Sequence, residues 1–169
     1  MKKLILIDSN ALVHRAFHAL PPTLSSTTGV PTNAIFGFTS VLIKMLKDLK
    51  PDYVAATFDL PGPTFRHEEF AEYKAHRIKT PDELYLQIPY IKEILTGFGI
   101  PIFEKPGFEA DDLIGSLAEQ TRAKKDRQVV IMTGDLDTLQ LVEGEKVVVF
   151  TLRKGVTDTF IYDEKEVHT

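Results

Sequence analysis

Acidic residues recur where the apolar runs of this chain end. Asp8 follows the run at residues 4–7, Asp59 follows residues 53–58, and Asp135 comes just after residues 129–132. Short apolar runs of this kind are typical of buried parallel strands, whose carboxyl ends line one crevice of an open sheet. Crowded carboxylates raise one another's pKa values unless cations lie between them. The pattern therefore predicts a divalent-metal site formed by Asp8, Asp59, Glu109, Asp111, Asp112, Asp135 and Asp137.

An Asp directly after a strand also has a plainer role, because it often caps the helix that follows. Capping accounts for Asp8 or Asp59 when each is taken singly. It explains neither the acidic cluster at residues 109–112 nor the pair Asp135 and Asp137. The metal-site hypothesis therefore depends on the whole set of acids.

The chemistry of the acids indicates which metal they would hold. Carboxylates and water are the ligands that Mg²⁺ and Mn²⁺ prefer, and the chain has no Cys for a zinc-thiolate site. Two such ions, about 3.5–4 Å apart, suit the in-line attack of water on a phosphodiester. His14 and His18, four residues apart, form an alternative zinc pair, but the acids make a better hard-metal site.

Composition limits the remaining possibilities. With 169 residues and 43% hydrophobic content, residues 1–169 form most simply one domain. The apolar stretch after Met1 stops at Asp8 and no later run could span a bilayer, so we expect a cytoplasmic protein without a membrane partner. A net charge of −4 speaks against a nucleic-acid partner, but bound metal would neutralise the acids and leave basic clusters to contact phosphates. These clusters are Lys74, His76, Arg77 and Lys79, and Arg122, Lys124, Lys125 and Arg127.

Strand and helix patterns alternate along the chain. Apolar runs predict strands at residues 4–7, 53–58, 100–103, 129–132 and 147–151, with a hairpin leading to residues 159–162. Helical spacing predicts helices near residues 11–20, over residues 35–49, from Thr80 to about residue 97, and after Gly107. We therefore predict a three-layer α/β fold with a mostly parallel central sheet of about five strands flanked by helices.

The last residues have the form of a helix start. Asp163 and Glu166 are spaced as in a capping box, yet only three residues follow Glu166. This spacing favours a fragment of a longer chain over a complete short one.

A segment rich in cations and aromatic residues, residues 60–79, follows Asp59 and is called the basic segment. Its length exceeds that of an ordinary strand-to-helix connection. Aromatic rings stack on bases while Lys and Arg contact phosphates, so the composition suits single-stranded nucleic acid. The alternative is an amphipathic surface helix solvated by Glu68, Glu69 and Glu72. The basic segment directly follows Asp59, beside the predicted metal site, and this position favours the nucleic-acid role over the surface helix.

Several motifs, in order along nearly the whole chain, resemble the 5′ nuclease domain of bacterial DNA polymerase I. They are Asp8 with residues 15–18, Phe58-Asp59, residues 64–66, residues 73–77, residues 109–112 and residues 133–137. The resemblance implies the flap-endonuclease superfamily and a PIN-like fold, with the acids above as metal ligands. It places Lys74 and Arg77 in a helical arch that grips the scissile phosphate. It also places Arg15 and Tyr73 near the substrate strand. The six predicted nucleic-acid contacts are therefore Arg15, Phe65, Arg66, Tyr73, Lys74 and Arg77.

The chain departs from the family pattern in two respects. Ser9 stands where a small residue often follows the first Asp, and the second half of the family domain is absent. That half normally supplies further acidic ligands and a helix-three-turn-helix element that holds duplex DNA. We therefore expect an incomplete second metal site and weakened turnover in this chain alone.

The function expected from these features is metal-dependent hydrolysis of phosphodiesters near a 5′ end or flap, in replication and repair. The partners expected are DNA, an RNA primer, and a covalently linked polymerase domain in the natural chain. A haloacid-dehalogenase phosphatase needs a second acid where Asn10 stands, and a single-domain PIN ribonuclease leaves the basic segment unexplained. A fragment that binds nucleic acid without cutting it is the alternative from another class.

Overall fold

A six-stranded sheet forms the centre of the fold in the computed structural model, which describes residues 1–167. The strand order is β3-β2-β1-β4-β5-β6. The first five strands are parallel, and β6 pairs antiparallel with β5 as the predicted hairpin. The strands are β1 (Lys2–Asp8), β2 (Tyr53–Thr57), β3 (Ile102–Phe103), β4 (Arg127–Thr133), β5 (Val147–Lys154) and β6 (Asp158–Tyr162).

Helices fill both faces of this sheet and confirm the predicted three-layer α/β fold. Because side chains alternate along a strand, Ile5 and Ile7 pack with the helices Ser9–Ala19, Asn33–Leu49 and Ile88–Gly97 on one face, whereas Leu6 packs with the helix Ala110–Arg122 on the other. The helices are α1 (Ser9–Ala19), α2 (Asn33–Leu49), α3 (Phe65–Glu69), α4 (Asp82–Tyr85), α5 (Ile88–Gly97), α6 (Ala110–Arg122) and α7 (Glu164–Val167), with a 3₁₀ helix at Leu136–Leu141.

The strand register brings three carboxyl ends together. Asp8 of β1 pairs with Thr57 of β2, and Ile7 pairs with Met132 of β4. The connections that follow these strands therefore leave from the same end of the sheet. This is the end at which ligands bind in open parallel sheets.

The predicted helix from Thr80 to about residue 97 is wrong as a single element, because it divides into α4 and α5. Pro89 stands in the first turn of α5 and has no N–H to bond the preceding turn. The buried side chain of Gln87 meanwhile turns toward α2, where it accepts hydrogen bonds from the backbone N–H groups of Ala34 and Ile35. The first helix also begins later than the predicted Thr80, since Pro81 directly precedes Asp82, the first residue of α4.

None of the helices in residues 1–167 combines the length and the apolar character that a bilayer crossing requires.

Helices α1 and α2 pack closely at Gly37. A Cβ atom at this position would lie 2.7 Å from Cβ of Ala16 and 3.0 Å from Cδ1 of Leu20. Both distances are too short for packed carbon atoms, so the small residue is required for the contact.

We expect Gly37→Ala to lower the free energy of unfolding by roughly 1–3 kcal/mol, because overpacking outweighs the gain in helix propensity. Gly115→Ala is the matched control, since a Cβ in the middle of α6 meets no atom within 4 Å. It should be neutral or stabilise by up to about 1 kcal/mol. Urea denaturation measures both variants, and equal effects would contradict the packing argument.

Candidate metal and nucleic-acid site

A cavity of about 530 Å³ opens at the carboxyl end of the sheet, and we call it the acidic cavity. The end of β1, helix α1, the turns that follow β2 and β4, the start of α6 and the basic segment all contribute to its walls. Six of the seven predicted metal ligands line it, and four of the six predicted nucleic-acid contacts line it with them. The acids are Asp8, Asp59, Glu109, Asp111, Asp135 and Asp137, and the contacts are Arg15, Tyr73, Lys74 and Arg77.

Asp8 both caps a helix and belongs to the cavity, so the two roles weighed in the sequence are compatible. One carboxylate oxygen accepts the backbone N–H of Ala11 at 3.2 Å, and the other accepts the hydroxyl of Thr133 at 2.8 Å. The side chain is buried, with 3% of the residue exposed. Burial, and then the charge of Asp111, raises the pKa of Asp8 to about 7 despite these bonds.

Asp59 and Asp111 approach the cavity from β2 and α6. Oδ1 of Asp59 accepts the backbone N–H of Ala110 at 2.6 Å, which ties the end of β2 to the start of α6. Desolvation raises the pKa of Asp111 to about 6, and the charges of Asp135, Asp59 and Glu109 contribute. Repulsion between these acids is the electrostatic signature of a cation site.

Asp135 and Asp137 lie in the turn after β4. Asp135 precedes the 3₁₀ helix, and its Oδ1 accepts the backbone N–H of Asp137 at 3.0 Å. Its own N–H donates to the hydroxyl of Thr133, which also bonds Asp8. A single threonine therefore connects the ends of β1 and β4.

Glu109, just before α6, is held by side chains of the basic segment. Nζ of Lys74 donates to its Oε1 at 2.8 Å, and the hydroxyl of Tyr73 donates to its Oε2 at 3.3 Å. Arg66 stands 3.6 Å from Oε2. The hydrogen bond from Lys74 and its charge place a cation directly on a predicted metal ligand.

Three predicted site residues lie beside the acidic cavity instead of lining it within residues 1–167: Phe65, Arg66 and Asp112. The guanidinium of Arg66 donates to both oxygens of Asp112 and also lies 4.6 Å from the centre of the Phe65 ring. The carboxylate of Asp112 is thus already engaged, which does not favour its predicted role as a metal ligand.

Arg15 and Arg77 bring positive charge to the cavity wall. Arg15 also donates to the backbone carbonyls of Leu152 and Arg153, which joins α1 to the end of β5. Its role as a nucleic-acid contact stays a prediction, as do the roles assigned to Phe65, Arg66, Tyr73, Lys74 and Arg77.

Three polar side chains of α1 that were not predicted to belong to this site line the same cavity: Asn10, His14 and His18. The rings of His14 and His18 lie 6.4 Å apart, and burial, then the charges of His18 and Arg77, lowers the pKa of His14. Spacing alone could have identified them, because Asn10, His14 and His18 are four residues apart on the helix that Asp8 caps.

The donors of the acidic cavity fit a hard divalent cation chemically, but they are not gathered into a ready coordination shell. As the side chains stand in residues 1–167, no three His, Asp or Glu groups lie close enough together to hold one ion. Since Glu109 contacts Lys74, its release is one rearrangement that ion binding would require.

A family model described as 5′-3′ exonuclease, N-terminal resolvase-like domain, matches residues 3–169. The chain belongs to this family. The match confirms the resemblance that the motifs indicated.

Two relatives of this chain extend well beyond the matched stretch. DNA polymerase I of Caldicellulosiruptor bescii is 51% identical over 86% of this chain, which spans 17% of that relative. The 5′-3′ exonuclease of Aquifex aeolicus is 47% identical over 88% of this chain, which spans 51% of it. The boundaries of a domain at residues 1–169 therefore stay a prediction.

Solved structures of the same fold support the architecture. A flap endonuclease of bacteriophage T5, in a pseudo-enzyme-product complex with DNA and metal ions, aligns with 99% of this chain and 60% of its own. The TM-score is 0.70 and the sequence identity is 20%. This similarity confirms the predicted α/β fold.

We expect Asp8→Asn to stabilise the metal-free protein more at pH 8 than at pH 4. The pKa of Asp8 is about 7 in the folded chain against an ordinary 3.8, so the folded state binds more protons between these values. Ionisation therefore costs stability progressively as pH rises toward 7. The difference between the two pH values should be on the order of 4 kcal/mol. Urea denaturation in chelator measures it, and an effect independent of pH would contradict the argument.

Proposed function

We propose that this chain forms the N-terminal part of a divalent-metal-dependent 5′ nuclease that hydrolyses DNA near a 5′ end or flap. The observation that carries the proposal is the convergence of six carboxylates with Arg15, Lys74 and Arg77 on one cavity. The names of the Aquifex and bacteriophage T5 proteins, an exonuclease and a flap endonuclease, support it.

Mg²⁺ or Mn²⁺ is the cofactor that the donor set fits best, because every acidic donor is a hard oxygen ligand. When bound, divalent ions activate water and stabilise the leaving oxygen of a phosphodiester. The residues proposed to hold them are Asp8, Asp59, Glu109, Asp111, Asp135 and Asp137.

The cations of the cavity are proposed to hold the substrate. Arg77 and Lys74 would contact the scissile phosphate, because phosphate oxygens accept the same charge-assisted hydrogen bonds that Glu109 now accepts from Lys74. The aromatic ring of Tyr73 lies 5.0 Å from that ammonium group, and we propose that it stacks on a base. A substrate phosphate and a metal ion together would replace the contact between Lys74 and Glu109.

The expected substrate is DNA with a 5′ end or flap, and an RNA primer strand has the same phosphodiester chemistry. A covalently linked polymerase domain is the proposed neighbour in the natural chain, since similar sequence forms part of DNA polymerase I in Caldicellulosiruptor bescii.

The deciding experiment is cleavage of a 5′-flap duplex labelled at the flap, with Mg²⁺, with Mn²⁺ and with chelator. We expect cleavage near the base of the flap that requires the metal and is lost in Asp111→Asn and Asp135→Asn. Fluorescence anisotropy of the same duplex measures binding. Binding that persists without any metal-dependent cleavage would favour the fragment that binds nucleic acid without cutting it.

We expect Lys74→Met and Arg77→Met each to lower the cleavage rate by roughly 10²-fold, because each removes a charge proposed to contact the phosphate. The loss of stability should stay below about 1 kcal/mol for Lys74, whose partly exposed ion pair contributes little.

Lys79→Met is the matched control, since Lys79 belongs to the same segment but is 84% exposed and pairs with Asp82. It should cleave at nearly the native rate. Equal losses of activity in all three variants would contradict a specific role for Lys74 and Arg77.

A further inference from the structure

Arg66 and Asp112 form a two-pronged ion pair beside the acidic cavity. Nη1 of Arg66 donates to Oδ2 of Asp112 at 2.8 Å, and Nη2 donates to Oδ1 at 2.7 Å. The backbone N–H of Glu109 also donates to Oδ2, at 2.9 Å. A carboxylate has about four acceptor positions, so three of those of Asp112 are already occupied.

The adjacent acid behaves differently. Asp111 lines the cavity, whereas Asp112 does not and accepts hydrogen bonds from Arg66 on both of its carboxylate oxygens. Successive side chains of a helix point about 100° apart, so the carboxylates of two neighbouring acids face different parts of the protein. One faces the proposed metals and the other faces a permanent cation.

The ion pair joins two segments that both supply the cavity. Arg66 belongs to α3, at the start of the basic segment, and Asp112 belongs to the first turn of α6. Two further contacts act at the same junction: the backbone N–H of Phe65 donates to the carbonyl of Gly107 at 3.0 Å, and the rings of Phe65 and Phe108 lie 5.7 Å apart. The junction therefore anchors the basic segment on the start of α6.

Two groups of the proposed reaction depend on this anchor. Glu109 is held through its backbone N–H by Asp112, whose orientation Arg66 fixes. Lys74 reaches Glu109 from further along the segment that Arg66 anchors. A shift of α3 would move the proposed phosphate contact relative to the proposed metal ligands.

We propose that Arg66 and Asp112 are a pair of positioning residues that set the place of Lys74 and Glu109, and that Asp112 acts through Arg66 and not as a metal ligand. The proposal rests on the nuclease function proposed above. It differs from two simpler roles suggested by residue type, a ligand role for Asp112 and a phosphate contact for Arg66.

A double-mutant cycle of Arg66→Met, Asp112→Asn and the double variant tests the pair. Each single change should lower kcat for flap cleavage about tenfold, and the double variant should resemble either single one, because the first change already disrupts the shared contact. Arg66→Lys keeps the charge but not the two-pronged geometry and should recover only part of the loss. Effects that multiply in the double variant would overturn the proposal.

Mn²⁺ titration by calorimetry, without DNA, separates positioning from ligation. The two single variants and the double variant should weaken Mn²⁺ binding equally and by no more than about threefold, because each displaces the same single ligand, Glu109. Asp111→Asn is the matched control at the neighbouring position, and it should weaken binding at least tenfold. Asp112→Asn weakening Mn²⁺ binding as much as Asp111→Asn, with Arg66→Met unchanged, would overturn the proposal in favour of a ligand.

Hydrogen exchange provides a readout that does not depend on cleavage. Peptides covering residues 70–79 should exchange faster in Arg66→Met, in Asp112→Asn and in the double variant to the same extent, while thermal unfolding confirms that each variant is folded. Unchanged exchange would overturn the positioning role. Native protein that cleaves nothing, with exchange responding as expected, would contradict the proposed function and leave the anchor intact.

Discussion

The burial of several carboxylates at one end of the sheet is the constraint on which the rest of this structure depends. Parallel strands deliver several acids to one end of the sheet, where burial and neighbouring charges raise the pKa of Asp8 to about 7 and that of Asp111 to about 6. Such a cluster is unfavourable unless positive charge compensates it. The chain supplies part of that charge itself, through Lys74 on Glu109 and Arg66 on Asp112.

The same bonds build both the fold and the acidic cavity. Asp8 caps α1, and Asp135 caps the 3₁₀ helix, so their carboxylates satisfy backbone donors that would otherwise be unpaired. Asp59 ties the end of β2 to the first turn of α6 through Ala110. These local bonds fix the backbone of the acids and leave their charges directed toward a shared space. A ligand site made from helix starts inherits the rigidity of the sheet beneath it.

The basic segment lies between two anchors that use different contacts. At its start, Arg66 pairs with Asp112. Beyond its end, the buried amide of Gln87 in the turn between α4 and α5 accepts two backbone N–H groups of α2 and donates to Asn33. These hydrogen bonds hold α5 and α2 in register, since a shift of either helix would leave buried polar groups unsatisfied. Between the two anchors the segment brings cations to the acids.

The sequence by itself determined the alternation of strands and helices, the parallel sheet and the end of the sheet at which the acids collect. Period, turn residues and strand length are local properties, and β1 with Asp8 shows that a short apolar run followed by an acid is enough to place both. The motifs also identified the family. Features that depend on neighbouring residues were therefore predictable, including the six acids that line one cavity.

Only the tertiary structure decided how those acids are used. Asp111 and Asp112 are the same residue type in adjacent positions, and their difference arises from Arg66, which is 46 residues away in the chain. The division of the helix at Gln87 likewise depends on contacts with α2. Charge pairing and desolvation depend on distances through space, which residue types and spacing do not specify. The sequence identified the acids, and the packing of α3 on α6 determined that Asp112 pairs with Arg66 while Asp111 faces the cavity.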